Sequence, residues 1–514
     1  MMVRSLARLF LLSAALVLRA ADLEFTPDRF DDPDRRARIE QLLPQLDQLY
    51  VQHAVSNHVP GFVYGVVLDG RLIHSLAWGE SALEPSRPMT LDTRFRIASM
   101  TKSFTALAIL KLRDAGQLSL EDPVSRYIPE FRRVQAPAQD SPTITIRHLM
   151  KMTAGFPQDD PWGDRRLDDP VRALEALVAG GLAFSNPPGV TWEYSNLGYA
   201  LLGQVVTRAS RRPYQEYITR EILRPLGMSQ TVWEFTEVPP DRMALGYRWE
   251  HGRWIPEPLL HDGAFGAMGG LITTLEDFAK YLSLHLEAWP ARDGPDAGPV
   301  RRATLREMHR PAEVLSVITN NPTLDGSDNP RVAGYSYGLS WNRDARGVTW
   351  LRHGGGLPGY GSEHRFLPAH GVGLISFANR TYAPMTAVNA GAMELLIVAA
   401  ALPARRPVAP PILVKRAAQL AALLQSWDPA LVAEAVSPNL FQDRAEADRR
   451  VEVEALLARC GPVRSVSPLE PENQLRGRFE LVGERGRVGV RFTLMPELPP
   501  RIQEVTLEFL AGPP

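Results

Sequence analysis

Arg96-Ile97-Ala98-Ser99-Met100-Thr101-Lys102-Ser103-Phe104 decides the reading of this 514-residue chain. Only five of its 57 lysines and arginines are lysines, and Lys102 is one of them, three residues after Ser99. Arginine stays protonated at any relevant pH, whereas a desolvated lysine falls toward neutral and can take up a proton. Positions i and i+3 share a helix face, so the Ser99 hydroxyl and the Lys102 amine come within reach of each other. A serine beside a neutralised lysine is an activated nucleophile. The tetrad alone is weak: 26 serines and five lysines give roughly 0.25 Ser-x-x-Lys matches by composition. A helix cap leading to a solvated lysine is the competing reading. The residues beyond Lys102 count against it, because Phe104, Leu107, Ala108, Leu110 and Leu112 leave the helix little polar surface. Such a helix is buried and its first turn is covered, so a lysine there needs partners.

Upstream, Gly61 to Leu68 and Arg71 to Gly79 are β-rich runs around Asp69-Gly70, which predicts a hairpin. Asp34 to His53 carries leucines at 42, 43, 46 and 49, a helical spacing. Residues 120–240 read as helices and loops. Strand patterns return at Tyr335 to Trp341, Thr349 to His353, His364 to Leu367 and Gly371 to Ala378, and an apolar helix comes next, from Ala387 to Ala401. Strands at both ends around a helical middle predict an α+β fold: an antiparallel sheet flanked by helices, with an inserted helical subdomain. This main domain covers 23–403. Residues 404–411, with three prolines, form a linker, and 412–514 form a separate α+β module. There, helices at Leu413 to Trp427 and Arg444 to Cys460 precede strands at Leu475 to Val482, Gly489 to Leu494 and Ile502 to Leu510. That order resembles small cystatin-like or ketosteroid-isomerase-like modules and carries no catalytic cluster, so a packing or binding role is expected.

Residues 1–20 have the basic start, apolar stretch and small-residue exit of a secretory signal, which predicts a periplasmic or secreted bacterial protein. The apolar run is too short to span a bilayer comfortably, so no stable membrane anchor is expected after cleavage. Without that segment the net charge moves from −1 to −4, since Arg4, Arg8 and Arg19 leave with no acid. A near-neutral, slightly acidic chain argues against nucleic acid as the main partner. The single cysteine, Cys460, rules out an internal disulfide and reads as a buried, inert thiol.

Three further segments carry chemistry. Tyr194-Ser195-Asn196 lies on a turn before a helix at Leu197 to Ala209, placed to send Tyr194 and Asn196 into one cavity. Trp350 to His353 is a strand ending in Gly354-Gly355-Gly356, where a ligand can approach backbone closely. Gly266-Ala267-Met268-Gly269-Gly270 leads into a helix at Leu275 to Leu284. Ser99-Met100-Thr101-Lys102, Tyr194-Ser195-Asn196 and His353-Gly354-Gly355 resemble, in order, the Ser-x-x-Lys, Tyr-x-Asn and Lys/His-x-Gly boxes of the serine β-lactamase and penicillin-binding superfamily. The nearest resemblance is to class C β-lactamase-like hydrolases, including esterases and D-aminopeptidases, over roughly residues 40–400. In Leu149 to Gly155 the family usually has His and Ser where Met152 and Ala154 stand, a departure expected to alter local hydrogen bonding rather than catalysis.

The resemblance implies a β-lactamase/transpeptidase-like fold and a site made of Ser99, Lys102, Tyr194 and His353, with Asn196, Gly354, Gly355 and Gly356 around the substrate and oxyanion. Ser99 would carry the acyl group. Lys102 would take the serine proton directly, or hold Tyr194 as a phenolate that serves as the base. The N–H groups of Ser99 and Gly356 would hold the oxyanion. No metal or cofactor is called for. A histidine in the third box, where antibiotic-degrading enzymes usually have lysine, offers no fixed charge at pH 7. It is expected to gain a proton toward pH 5.5. The sequence therefore predicts an exported serine hydrolase acting on small ester, amide or peptide substrates, with neutral ones favoured. The alternatives are a D-amino-acid-specific peptidase or weak β-lactamase on the same site, or a non-catalytic penicillin-binding or cell-wall recognition module.

Overall fold

The structure is a computed structural model that describes residues 24–321, 323 and 326–511. The expected export signal lies outside them. Two compact units emerge, one of residues 32–404, the other joining 24–31 to 405–511. The short segment 24–31 thus groups with the C-terminal unit, where Arg29 and Arg406 exchange backbone hydrogen bonds.

In the larger unit the helices that matter are α1 (Arg35–Ser56), α2 (Thr101–Asp114), α3 (Asn196–Ser210), α4 (Leu275–Glu287) and α5 (Met385–Val398). The strands are β1 (Gly61–Leu68), β2 (Arg71–Leu83), β3 (Ser86–Pro88), β4 (Glu313–Ile318), β5 (Arg331–Tyr335), β6 (Ser340–Asp344), β7 (Thr349–Leu357), β8 (Tyr360–Leu367) and β9 (Val372–Ala378). Among the described residues these nine form one antiparallel sheet in the order β3-β2-β1-β9-β8-β7-β6-β5-β4. Asp69 and Gly70 have φ of 49° and 76°, as the two-residue hairpin between β1 and β2 requires. The strands from the two ends of the unit meet at β1 and β9, paired from Phe62↔Ala378 to Leu68↔Val372. This is the α+β sheet-and-helix arrangement of the β-lactamase/transpeptidase fold.

Both faces of the central strands are covered, which is why β1 is a continuous apolar run rather than an alternating one. Phe62, Tyr64 and Val66 pack with Tyr50 of α1 and Val388 and Leu396 of α5. Val63 and Val67 face the other way, toward Phe104 of α2 and Phe278 of α4. The inserted helical region from α2 to α4 shares that second core.

The stretch with strand composition from Tyr335 to Trp341 is not one strand: it holds the end of β5 at Tyr335, a turn over Ser336 to Leu339, and the start of β6 at Ser340 and Trp341. Gly338 has φ of 72°, and a Cβ there would lie 2.7 Å from the Ser103 Cα. The turn is tucked against α2, and only glycine fits. Strand β7 also runs on through Gly354, Gly355 and Gly356 to Leu357 instead of ending before them, because β8 continues to pair with all three.

The C-terminal unit contains α6 (Pro411–Ser426), α7 (Glu446–Cys460) and strands β10 (Val463–Val466), β11 (Glu470–Asn473), β12 (Arg476–Gly483), β13 (Arg487–Leu494) and β14 (Ile502–Leu510). Its sheet has the order β10-β12-β13-β14, with β11 beside β12. Val488, Val490, Phe492 and Leu494 all point inward, and Cys460 is buried with its Sγ 3.1 Å from the Gly486 carbonyl.

Candidate active site

Ser99 sits in a single 3-10 turn, Ala98–Met100, that runs directly into α2. Ala98 adopts φ of 49°, the left-handed region that a side chain disfavours. Three hydrogen bonds pin this strained turn and the start of α2: Ser362 Oγ to the Ile97 carbonyl at 2.8 Å, Thr105 Oγ1 to the Ala267 carbonyl at 2.6 Å, and the Leu271 N–H to Thr101 Oγ1 at 3.2 Å. The Ser99 hydroxyl is thereby presented at a helix start, where backbone N–H groups lack intrahelical acceptors.

Lys102 lies one helical turn on and is fully buried. Its Nζ donates to Ser99 Oγ at 2.8 Å, Asn196 Oδ1 at 2.7 Å and the Met268 carbonyl at 3.0 Å. Burial lowers its pKa to about 8, while the carboxylates of Asp160, Asp164 and Asp159 oppose that fall. Of the three partners only Ser99 carries a proton it can give. When the amine is neutral, its lone pair therefore faces Ser99 and its two N–H groups keep Asn196 and Met268.

Asn196 is the first residue of α3, so the helix begins one residue earlier than the sequence predicts, with Ser195 rather than Asn196 at its N-cap. Its backbone N–H and that of Leu197 both donate to Asp159, at 2.7 Å each, and Ser195 Oγ accepts from the Gly198 N–H at 3.0 Å. Its side-chain amide donates to Asp160. The largely buried Leu149-to-Gly155 segment supports this loop: the Met152 carbonyl accepts from the Glu193 N–H at 3.0 Å. Tyr194 is half-buried, with the Lys102 Nζ 4.9 Å from its ring centre. Burial, and then the Asp160 charge, push the phenol well above its ordinary pKa, against a hydrogen bond with Ser99. Burial thus opposes a standing phenolate at Tyr194.

Strand β7 forms the opposite wall. It pairs with β6 only as far as Ser340↔Arg352, so from His353 to Leu357 the edge toward β6 is open. A Cβ on Gly355 would lie 2.2 Å from the Ile97 carbonyl and 2.3 Å from Ser362 Oγ. Glycine there lets the strand press against the nucleophile turn. His353 is buried, its Nδ1 donating to the Gly354 carbonyl at 2.6 Å and its Nε2 3.5 Å from the Tyr335 hydroxyl. Burial, with the Lys102 charge second, lowers its pKa to about 3. The expectation of protonation near pH 5.5 is thus corrected: the imidazole stays neutral far below that.

The structure brings Ser99, Lys102, Tyr194, Asn196, His353 and Gly354 to Gly356 together, and Ser99, Tyr194, His353 and the three glycines line a cleft of about 760 Å³. Sequence reasoning missed the acidic loop. Asp160 and Asp164 line the same cleft, and Asp164, buried beside Asp160, has its pKa raised to about 6 while accepting from the Tyr382 hydroxyl at 2.9 Å. Three acids within six residues, 159 to 164, were the available signal.

A model of the beta-lactamase family matches residues 39–397. Among curated relatives, protein flp of Staphylococcus aureus (strain COL) is 28% identical over 344 residues, 65% of this chain and 62% of the relative. Beta-lactamase-like protein 2 of Dictyostelium discoideum is 26% identical over 367 residues, 70% of this chain and 63% of the relative. The match thus spans under two thirds of those proteins' own lengths. The octameric penicillin-binding protein homologue from Pyrococcus abyssi shares the fold at a TM-score of 0.58 and 21% identity, over 91% of this chain and 98% of its own. The penicillin-binding protein from Bacillus halodurans superposes at a TM-score of 0.52 and 25% identity, over 66% of this chain and 98% of its own. With the family model covering most of the chain, this protein belongs to the beta-lactamase family.

Proposed function

We infer that the protein is a serine hydrolase that cleaves small ester or amide substrates through an acyl-Ser99 intermediate. The observation that carries this reading is the 2.8 Å contact between Lys102 Nζ and Ser99 Oγ, with the other two amine hydrogens committed to Asn196 and Met268. Neutral Lys102 takes the Ser99 proton as Oγ attacks the acyl carbon. The oxyanion that forms is held by the Ser99 N–H and by an N–H of the open edge at Gly356. Tyr194, kept protonated by burial, gives its proton to the leaving group and is reprotonated by the Lys102 ammonium. Water then repeats the sequence on the acyl-enzyme: its proton goes to Lys102, its oxygen to the acyl carbon, and Ser99 leaves reprotonated.

A neutral His353 places no cation beside the scissile bond, which supports a substrate that is uncharged at that point and argues against anionic β-lactams. A non-catalytic recognition pocket would have no use for an amine with its lone pair aimed at a hydroxyl. Export through residues 1–20 is part of the same proposal. The test is covalent labelling of the full chain with a fluorophosphonate, then peptide mapping and a screen of p-nitrophenyl esters, nitrocefin and D-amino-acid p-nitroanilides. Label on Ser99 alone, with ester turnover lost in Ser99→Ala, is expected. Label on another serine, or activity surviving in Ser99→Ala, overturns the reading.

A further inference from the structure

The cleft does not stop at Ser99. It continues past Gly354 along one face of the β5–β6–β7 ribbon. There the register Ala333↔Asn342, Ser340↔Arg352 and Asn342↔Trp350 puts Arg331, Ser340, Asn342 and Arg352 on the same side. Thr386, in the first turn of α5, lines the same arm. Among the described residues none of these five side chains has a hydrogen-bond or ion-pair partner in the protein. Arg331 lies with its guanidinium 5.8 Å from the Trp350 ring centre, and its Nε is buried without an acceptor. Asn342 is only 3% exposed, yet its amide is uncommitted.

The charge is unbalanced as well. Arg331, Arg352 and Arg365 lie close enough to repel one another, and burial lowers the pKa of both Arg331 and Arg352. One carboxylate, Glu363, faces the group. It is already engaged by Arg365 at 3.1 Å and by the Asn389 amide. Desolvated guanidiniums without an anion are costly, and their planar fork is shaped to hold two oxygens of a carboxylate or phosphate at once.

We propose that this arm is a binding subsite for an oxyanion group of the substrate, a carboxylate or a phosphate, carried at a distance from the acyl bond that Ser99 attacks. The inference rests on the acyl-enzyme reading above and refines it: the positive charge absent at His353 is supplied by Arg331 and Arg352, further along the cleft.

The experiment compares three esters on the full chain: p-nitrophenyl butyrate, mono-p-nitrophenyl glutarate and p-nitrophenyl 4-phosphonobutyrate. The native protein should favour at least one anionic ester over the neutral one in kcat/KM by about tenfold or more, the scale of a charge-assisted hydrogen bond. Which anion is favoured separates the carboxylate source from the phosphate one. Arg331→Met and Arg352→Met should each erase most of that ratio, acting through KM, while Arg352→Lys restores part of it. A ratio near one in the native protein, or a ratio that both methionine variants leave in place, overturns the proposal. Calorimetric titration of native protein with glutarate and with inorganic phosphate gives a readout independent of turnover. Binding lost in both variants supports the subsite, and no binding by the native protein overturns it. Should all three esters go uncleaved while glutarate or phosphate still binds, the hydrolase reading has failed and the anion site has not.

Discussion

Lys102 and His364 are both fully buried, and burial pushes each toward its neutral form. Their surroundings could hardly differ more. Lys102 has three directed acceptors, and the charges of three nearby carboxylates stop its pKa near 8. His364, opposite His353 in the β7–β8 register, has neither ring nitrogen partnered among the described residues and lies among Phe278 and Phe366, with ring centroids at 5.1 and 6.1 Å. Desolvation reinforced by neighbouring positive charge makes an inert group. Desolvation set against opposing charge makes one that changes state within the working pH range, and only the second is useful for moving a proton.

The largest effect should come from removing that adjustability while keeping the charge. Lys102→Arg retains a cation but cannot accept the Ser99 proton, so kcat for an ester should fall by ~10²-fold or more, close to the loss in Lys102→Ala. Steady-state kinetics with p-nitrophenyl butyrate decides it. If Lys102→Arg keeps most of the activity, charge rather than proton transfer is what the lysine supplies, and the contrast with His364 collapses.

His364 should respond in the opposite sense. Replacing it with leucine, of similar volume, removes two buried nitrogens that have no partner, so the variant should be more stable by about 1–2 kcal/mol in urea unfolding, with ester turnover unchanged. Lower stability in His364→Leu would mean that the imidazole has a role in the core that its contacts do not reveal.

The half of this comparison that is legible in the sequence is the local half. Ser99 and Lys102 are three residues apart, Tyr194 and Asn196 two, and the Asp69-Gly70 hairpin is adjacent in the chain, so spacing and turn chemistry carry them. The third acceptor of Lys102 is a main-chain carbonyl at Met268, which has no side-chain signature at all. The acids that hold up the lysine's pKa belong to a loop far from Lys102 in the chain, tied by hydrogen bonds to the start of α3. The turn at Gly338 is hidden for the same reason. Tyr335 to Trp341 has strand composition throughout, yet the chain turns within it, from Ser336 to Leu339, where Gly338 packs against the Ser103 backbone, far away in sequence. The burial that raises the pKa of the Tyr194 phenol is likewise nothing a tripeptide encodes.

The pH profile sharpens the contrast further. Acylation needs neutral Lys102, so the rate should climb with pH, about tenfold per unit below the pKa, and level off above about 8. His353, with its pKa near 3, and His364, lowered well below its ordinary value, should add no second limb between pH 5 and 9. Single-turnover acylation measured across that range is the check. A limb near 6.5 that persists in Asp164→Asn would show a histidine titrating in the site after all.

The smallest effect tests whether the acidic loop sets the position of that limb. Asp164 ionises with a pKa raised to about 6, and its charge raises that of Lys102. Asp164→Asn keeps an oxygen that can accept from the Tyr382 hydroxyl but removes the charge. Lys102 should then lose its proton more readily, so the limb should move to lower pH by a fraction of a unit and the rate near pH 7 should rise a few-fold. The two pKa values bound the window. Below about pH 6 the native carboxyl is itself protonated, so native and variant should converge there; above the native limb both are fully active, and they should converge again. An advantage confined between those limits is what loss of one carboxylate charge produces. A uniform change at all pH values would instead assign Asp164 to holding the shape of the loop, leaving burial alone to set the state of Lys102.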